Sequence, residues 1–191
     1  MKNKTLPYIA TATLLFIMSL IWGLRISPVI GNELLGELSQ SLMPLQALPS
    51  IVLFVVIFLN NAIKSLLAIV SGIFIGIPSV FFLCFNGLTI GAIVSILQPE
   101  MGMGLVIASL APHGIIEIPA LIFATALGTM IGFESLKYLI GRKSNVKLQL
   151  RQSLIIYTRW VLVALFVAAL IEAFITPLLV AHFGGSEIIK P

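Results

Sequence analysis

The sequence predicts an all-α membrane protein, a polytopic bundle of about five transmembrane helices forming one domain over residues 1–191. Three observations predict it. Hydrophobic residues make up 59% of the chain and charged ones 9%. The mean hydropathy of +1.15 lies far outside the range of a water-soluble domain. The apolar residues also fall into runs of roughly 20, the number that a rise of about 1.5 Å per residue needs to cross a ~30 Å hydrocarbon core.

In chain order the runs are 8–24, 51–77, 80–97, 105–133 and 154–181. The first follows Lys2 and Lys4 as a secretory signal would, but Trp22, Gly23, Leu24 and Arg25 supply no small-x-small cleavage site, so it is expected to remain as a span. Across 25–50, Leu34, Leu38 and Leu42 recur at every fourth position beside Leu35, with Glu33, Glu37, Gln40 and Ser41 on other faces. That pattern suits either an amphipathic helix at the outer interface or a solvated loop. Gly76-Ile77-Pro78-Ser79 predicts a tight turn after the second span, and Pro99, Gly102 and Gly104 predict a tight connection at 98–104 after the third. Links this short make neighbouring spans antiparallel.

A net charge of +4 would suggest nucleic acid in a soluble protein, but here the basic residues are grouped by loop. They report membrane sidedness, and no nucleic-acid partner is expected. Lys137, Arg142, Lys143, Lys147 and Arg151 crowd a 134–153 loop, with Arg159 at the start of the last span, whereas Glu33, Glu37, Glu100 and Glu187 fall on the opposite side. The positive-inside rule then places the N-terminus and the basic loop in the cytoplasm and the C-terminus outside a cell (plasma) membrane. The basic loop can also meet anionic lipid headgroups, at ~1 kcal/mol per Lys or Arg near the surface. Cys84 is the single cysteine, so one chain can form no disulfide, and no CxxC or Cys/His zinc pattern exists.

Gly72/Gly76, Gly87/Gly91 and Gly128/Gly132 form G-x-x-x-G pairs in three successive spans. Each pair lets backbones approach closely, within a compact bundle, at a homodimer interface, or at both.

The most informative residues are those that a membrane helix avoids. Counted from the outer ends, Asn60 and Asn61 lie about 15 Å deep, Lys64 about 21 Å, His113 about 12 Å and Glu117 about 18 Å. An unpaired charge at the bilayer centre costs at least ~2.5 kcal/mol, so Lys64 and Glu117, of opposite sign and similar depth, are expected to be partners. His113 and Glu117 share a helix face and can converge on one ligand or proton. Pro112 and Pro119 bracket them, each removing a backbone donor, so this helix is expected to be kinked or broken around a wet or protein-lined cavity. Pro177, after Thr176 and near Glu172, does the same in the last span, and Asn86 precedes Gly87 in the third. The candidate intramembrane cluster is therefore Asn60, Asn61, Lys64, Asn86, His113, Glu117, Glu172 and Thr176. A buried Asn is more often interhelical glue than a ligand.

Several of these motifs resemble the stage II sporulation protein M family: FLNNAIKS at 58–65, GIFIGI at 72–77, FNGLTIG at 85–91, PHGIIEIPA at 112–120 and IEAFITP at 171–177. The match runs from the second span to the last. The resemblance implies a five-span integral membrane protein. It further implies, in spore formers, the membrane member of a complex whose extracytoplasmic partners degrade cell wall during septal peptidoglycan removal at engulfment.

Three functions compete. The first, implied by the resemblance, is a non-enzymatic scaffold that recruits membrane or extracytoplasmic partners. The second is a channel or transporter moving protons or small cations through the His/Glu/Lys/Asn cluster, polar groups at broken helices being the usual transporter site. The third is a metal-dependent intramembrane hydrolase with metal on His113 and Glu117. That chemistry lacks ligands, because the sequence has no H-E-x-x-H, no Asp, and His182 as its only other histidine. No cofactor is called for; if a metal ion binds, those two residues would be its ligands.

Overall fold

The computed structural model describes residues 2–25 and 48–183. The amphipathic segment expected across 25–50 lies almost wholly outside the described residues. Helix α1 runs Lys2–Gly23, α2 Ser50–Val70, α3 Ile77–Met101 and α4 Met103–Leu139. The final helical run consists of α5 (Val146–Ile156), α6 (Leu162–Leu170) and α7 (Thr176–Phe183), joined by π-turns at Tyr157–Val161 and Ile171–Ile175. Among the described residues, five stretches are long and apolar enough to cross a membrane: Thr5–Gly23, Ser50–Ile73, Ile77–Pro99, Gly114–Leu139 and Val146–His182.

The connections are tighter than the sequence suggests. After α2 the chain makes a 3₁₀ turn at Ser71–Ile73, then places Ile75 (φ 58°) and Gly76 (φ 77°) in the left-handed region. Gly76 does so without steric cost, but a β-branched residue there is strained. Pro78 then falls in the first turn of α3, where its missing N–H costs nothing. Helices α3 and α4 are separated by Gly102 alone (φ 79°, ψ 154°), a conformation open essentially to glycine. Pro99 and Gly104 are thus helical rather than parts of a 98–104 loop. The 134–153 loop shrinks likewise: α4 carries Lys137 to its end, α5 carries Lys147 and Arg151, and only residues 140–145 turn.

Helix α4 is the hub. One face buries Ala120, Ala124, Leu127 and Ile131 together with Ile69 of α2, Leu165 of α6, and Tyr157 and Val161 of the first π-turn. Ile122 faces the other way, into a core with Ala12 and Phe16 of α1 and Leu83 of α3. At one end, Tyr8 meets the ring of Phe133 edge-on at 6.4 Å, and the Lys137 ammonium lies 4.6 Å from the centre of that ring. This near end collects the start of α1, the α2–α3 turn and the α4–α5 turn. The Gly102 break and the end of α7 lie at the far end.

Glycines set the closest crossings. A Cβ on Gly72 would strike the backbone of Gly128, one on Gly128 the Ala68 carbonyl and the Ser79 hydroxyl, and one on Gly132 the backbone of Ile75 and Gly76. On the other side of the bundle, Gly87 and Gly91 of α3 take the backbone of α1 around Phe16, Leu20 and Gly23. Each of the six glycines is thereby occupied inside the chain. Ser79 is fully buried and its hydroxyl donates to the Ala68 carbonyl, tying α3 to α2 where the helix gives way to the 3₁₀ turn.

The prolines act in two ways. Pro112 and Pro119 stand within one continuous 37-residue α4 rather than between two helices, although only Gly114–Leu139 qualifies as a span and Met103–Pro112 remains a shorter apolar piece. Each still frees a carbonyl four residues earlier, those of Ala108 and Ile115. Pro177 cannot bond to Ala173, and the second π-turn, ending at Ile175, widens the helix where that bond is missing.

Candidate functional site

On α4 the buried positions Ala120, Ala124, Leu127 and Ile131 follow a spacing of four and three. Continued toward the far end, the same stripe reaches Glu117 and then His113. The positions that are apolar in the near half are therefore ionisable in the far half. Glu117 is half-buried; His113 is helical in its backbone, and its side chain lies outside the described residues.

Helices α2 and α4 run parallel, registered where Gly72 meets Gly128. Glu117 lies eleven residues before Gly128 and Asn61 eleven before Gly72, so these two share a level. Lys64, expected at the depth of Glu117, lies three residues closer to the near end, about 4.5 Å away along the axis. Asn61 is half-buried, whereas Asn60 and Lys64 are exposed on the outer face of α2. The Asn60 amide nitrogen sits 3.4 Å from the Asn61 amide oxygen, and Ser65, buried below them, donates to the Asn61 carbonyl at 2.7 Å.

The α4–α5 hairpin sets the level of the last span. His113 lies 26 residues before Leu139 and Glu172 lies 26 after Val146, so the two are level to within about a turn. Glu172 is half-buried within the second π-turn, and the buried Thr176 hydroxyl donates to its Oε2 at 2.9 Å. Asn86 is turned back on its own helix, donating to the Phe82 carbonyl at 2.7 Å. The chain thus brings Asn61, Glu117 and the Glu172–Thr176 pair to neighbouring levels of the far half and leaves Asn60 and Lys64 facing outward. Among the described residues no three His, Cys, Asp or Glu side chains are grouped to hold a metal ion.

Other polar groups were not singled out from the sequence. Tyr157, in the first π-turn, reaches across to donate to the Ala62 carbonyl at 2.8 Å, a hydrogen bond between residues 95 positions apart. Thr125 and Ser135 of α4 are buried with hydroxyls that find no partner. Thr125 borders a cleft of about 340 Å³ among α1, α3 and α4, and Ser135 borders a larger one at the near end. A lone hydroxyl in an apolar run carries no sequence signal of its own. Tyr157 is followed by Thr158, Arg159 and Trp160, so the sequence reads it as one more interfacial residue.

Five long apolar helices, crossing on glycine and turning ionisable at one end, define a multi-pass α-helical membrane protein with a partly polar interior. A family model described as stage II sporulation protein M matches residues 12–177, and the chain belongs to that family. An uncharacterized protein of Methanocaldococcus jannaschii is 31% identical over 127 residues, covering 62% of this chain and 68% of that one. No solved structure matches the chain.

Proposed function

We propose that this protein is a non-enzymatic membrane scaffold that holds a transmembrane segment of a partner protein against the outer face of α2. One observation carries this reading: Asn60 and Lys64 are exposed, one turn apart, well inside the Ser50–Ile73 span. Intramembrane charges almost always face protein or a wet cavity, since lipid exposure at the centre costs ~2.5–3.5 kcal/mol or more. A partner helix laid over Leu59, Asn60, Ile63, Lys64 and Leu67 would remove that cost and gain polar interhelical bonds. The near end, with Lys137, Arg142, Lys143, Lys147 and Arg151, is the cytoplasmic one in this reading. In a spore former the partners would be those of septal peptidoglycan removal.

A photo-crosslinking residue placed at 60 or 64 in native membranes is expected to give adducts with protein, and one at Phe85, exposed on α3, adducts with lipid. Lipid adducts alone at all three positions would overturn the reading.

A second reading, proton or small-cation transport, is favoured by the common levels of Asn61, Glu117 and Glu172 beside a π-turn and two prolines. It requires flux in liposomes that Glu117→Gln abolishes; absence of flux in the unaltered protein removes it.

A further inference from the structure

At the near end the chain forms a second feature that the scaffold reading does not use, a cleft of about 790 Å³ between the end of α4 and the start of α5. Four independent properties of this cleft point to one ligand chemistry.

First, Ser135 lines it, is 6% exposed, and its hydroxyl has no hydrogen-bond partner. A buried hydroxyl left without a partner is unfavourable, so an acceptor in the cleft would offset that cost. Second, the eleven-residue α5 begins here. No side chain caps it, its first turn carries no acid, and Val146, Lys147 and Leu148, whose amides have no intrahelical acceptor, line the same space at the positive end of the helix dipole.

Third, Lys147 and Arg151 also line the cleft, one turn apart on a common face. No carboxylate lines it. The neighbouring acid, Glu134, is held by the Lys137 ammonium at 2.6 Å and accepts from the Asn145 amide at 2.8 Å, which fixes the start of α5 in place. Fourth, the cleft lies at the terminus of the Gly114–Leu139 span, and its rim includes Tyr138 and Leu139, 71% and 65% exposed. An anionic group bound here would therefore carry its apolar tail straight into the bilayer beside α4.

We propose that this cleft is a binding site for the phosphate of an anionic phospholipid, with Lys147 and Arg151 pairing the charge, the α5 amides and the Ser135 hydroxyl donating to its oxygens, and Tyr138 and Leu139 packing on the acyl chain. The site differs from diffuse attraction of a basic loop to a charged surface in that it needs these side chains and not merely their number. The inference does not depend on which partner α2 meets or on which side of the membrane the near end faces.

The test is native mass spectrometry of the full-length protein released from detergent and titrated with phosphatidylglycerol, phosphatidylcholine or inorganic phosphate. Lys147→Gln with Arg151→Gln should weaken phosphatidylglycerol binding by roughly tenfold or more, and Ser135→Ala by about threefold. Arg142→Gln with Lys143→Gln removes the same charge outside the cleft and should change it by less than about threefold. Equal losses in the two double variants, equal binding of phosphatidylcholine, or displacement of the lipid by inorganic phosphate at comparable concentration would each overturn the proposal. Should the first double variant fail to fold, Lys147→Gln against Lys143→Gln makes the same comparison.

Discussion

The two halves of α4 meet their neighbours by different means. In the near half Gly128 and Gly132 bring the backbones of α2 and the α2–α3 turn into direct contact, and neither glycine has room for a methyl group. In the far half a Cβ on Gly104 would meet nothing within 4 Å, and one on Gly114 would meet only the tip of Ile118, at 3.6 Å. The near half closes on backbone and aliphatic side chains; the far half carries both interior prolines, faces the second π-turn, and holds the ionisable stripe. Where helices touch through glycine no polar group is needed to hold them. Beyond those contacts, the levels of Asn61, Glu117 and the Glu172–Thr176 pair carry polar side chains instead.

Single substitutions should separate the halves sharply. Gly128→Ala is expected to destabilise the detergent-solubilised protein by about 3 kcal/mol, since the new Cβ meets backbone that cannot rotate away. The same change at Gly114 should be neutral or stabilising by up to about 1 kcal/mol through helix propensity alone. Thermal or denaturant titration of both variants reads the contrast, and equal costs would mean that the halves are packed alike. A smaller effect attends the tie between α2 and the last span: Tyr157→Phe should cost about 1 kcal/mol by leaving the Ala62 carbonyl without the tyrosine hydroxyl. The smallest expected change is a gain. Ile75→Gly relieves a β-branched residue of its left-handed conformation, worth about 1–2 kcal/mol, against about 0.5–1 kcal/mol of added chain entropy, so the variant should be slightly more stable by the same titration.

The sequence made the near half legible and the far half less so, for a physical reason. G-x-x-x-G spacing reports backbone approach directly, because only glycine permits it, and Gly72, Gly76, Gly128 and Gly132 could be read as packing positions before any partner was known. Span count was legible for the same kind of reason, long apolar runs having few alternatives. Element ends were not. Residues 140–145 alone turn where a twenty-residue loop was expected, because charged residues such as Lys147 and Arg151 are compatible with an interfacial helix as well as with a loop. Pro112 and Pro119 suggested a helix kinked or broken, and the break is not made: a missing N–H weakens a helix locally, but α4 continues through both prolines, packed on neighbours on two sides.

The candidate cluster was legible as a set of unusual residues, not as a geometry. Lys64 and Glu117 have similar depths when each span is measured from its own end, yet register depends on where helices cross. The Gly72–Gly128 contact brings Asn61 to the level of Glu117 and leaves Lys64 lower, on the outer face of α2. Tyr157 and Ser135 could not be placed at all from sequence, since their importance comes from an acceptor 95 positions away in one case and from a missing partner in the other.

The difference between the halves of α4 is tested most directly by amide hydrogen exchange, followed by mass spectrometry with the protein in lipid nanodiscs. Residues 120–132, closed by glycine contact, should exchange at least about a hundredfold more slowly than residues 105–118, where the carbonyls of Ala108 and Ile115 are freed by Pro112 and Pro119 and Glu117 adds a polar side chain. Uniform protection along α4 would contradict the account and make the polar residues of the far half part of a core as dry as the near one.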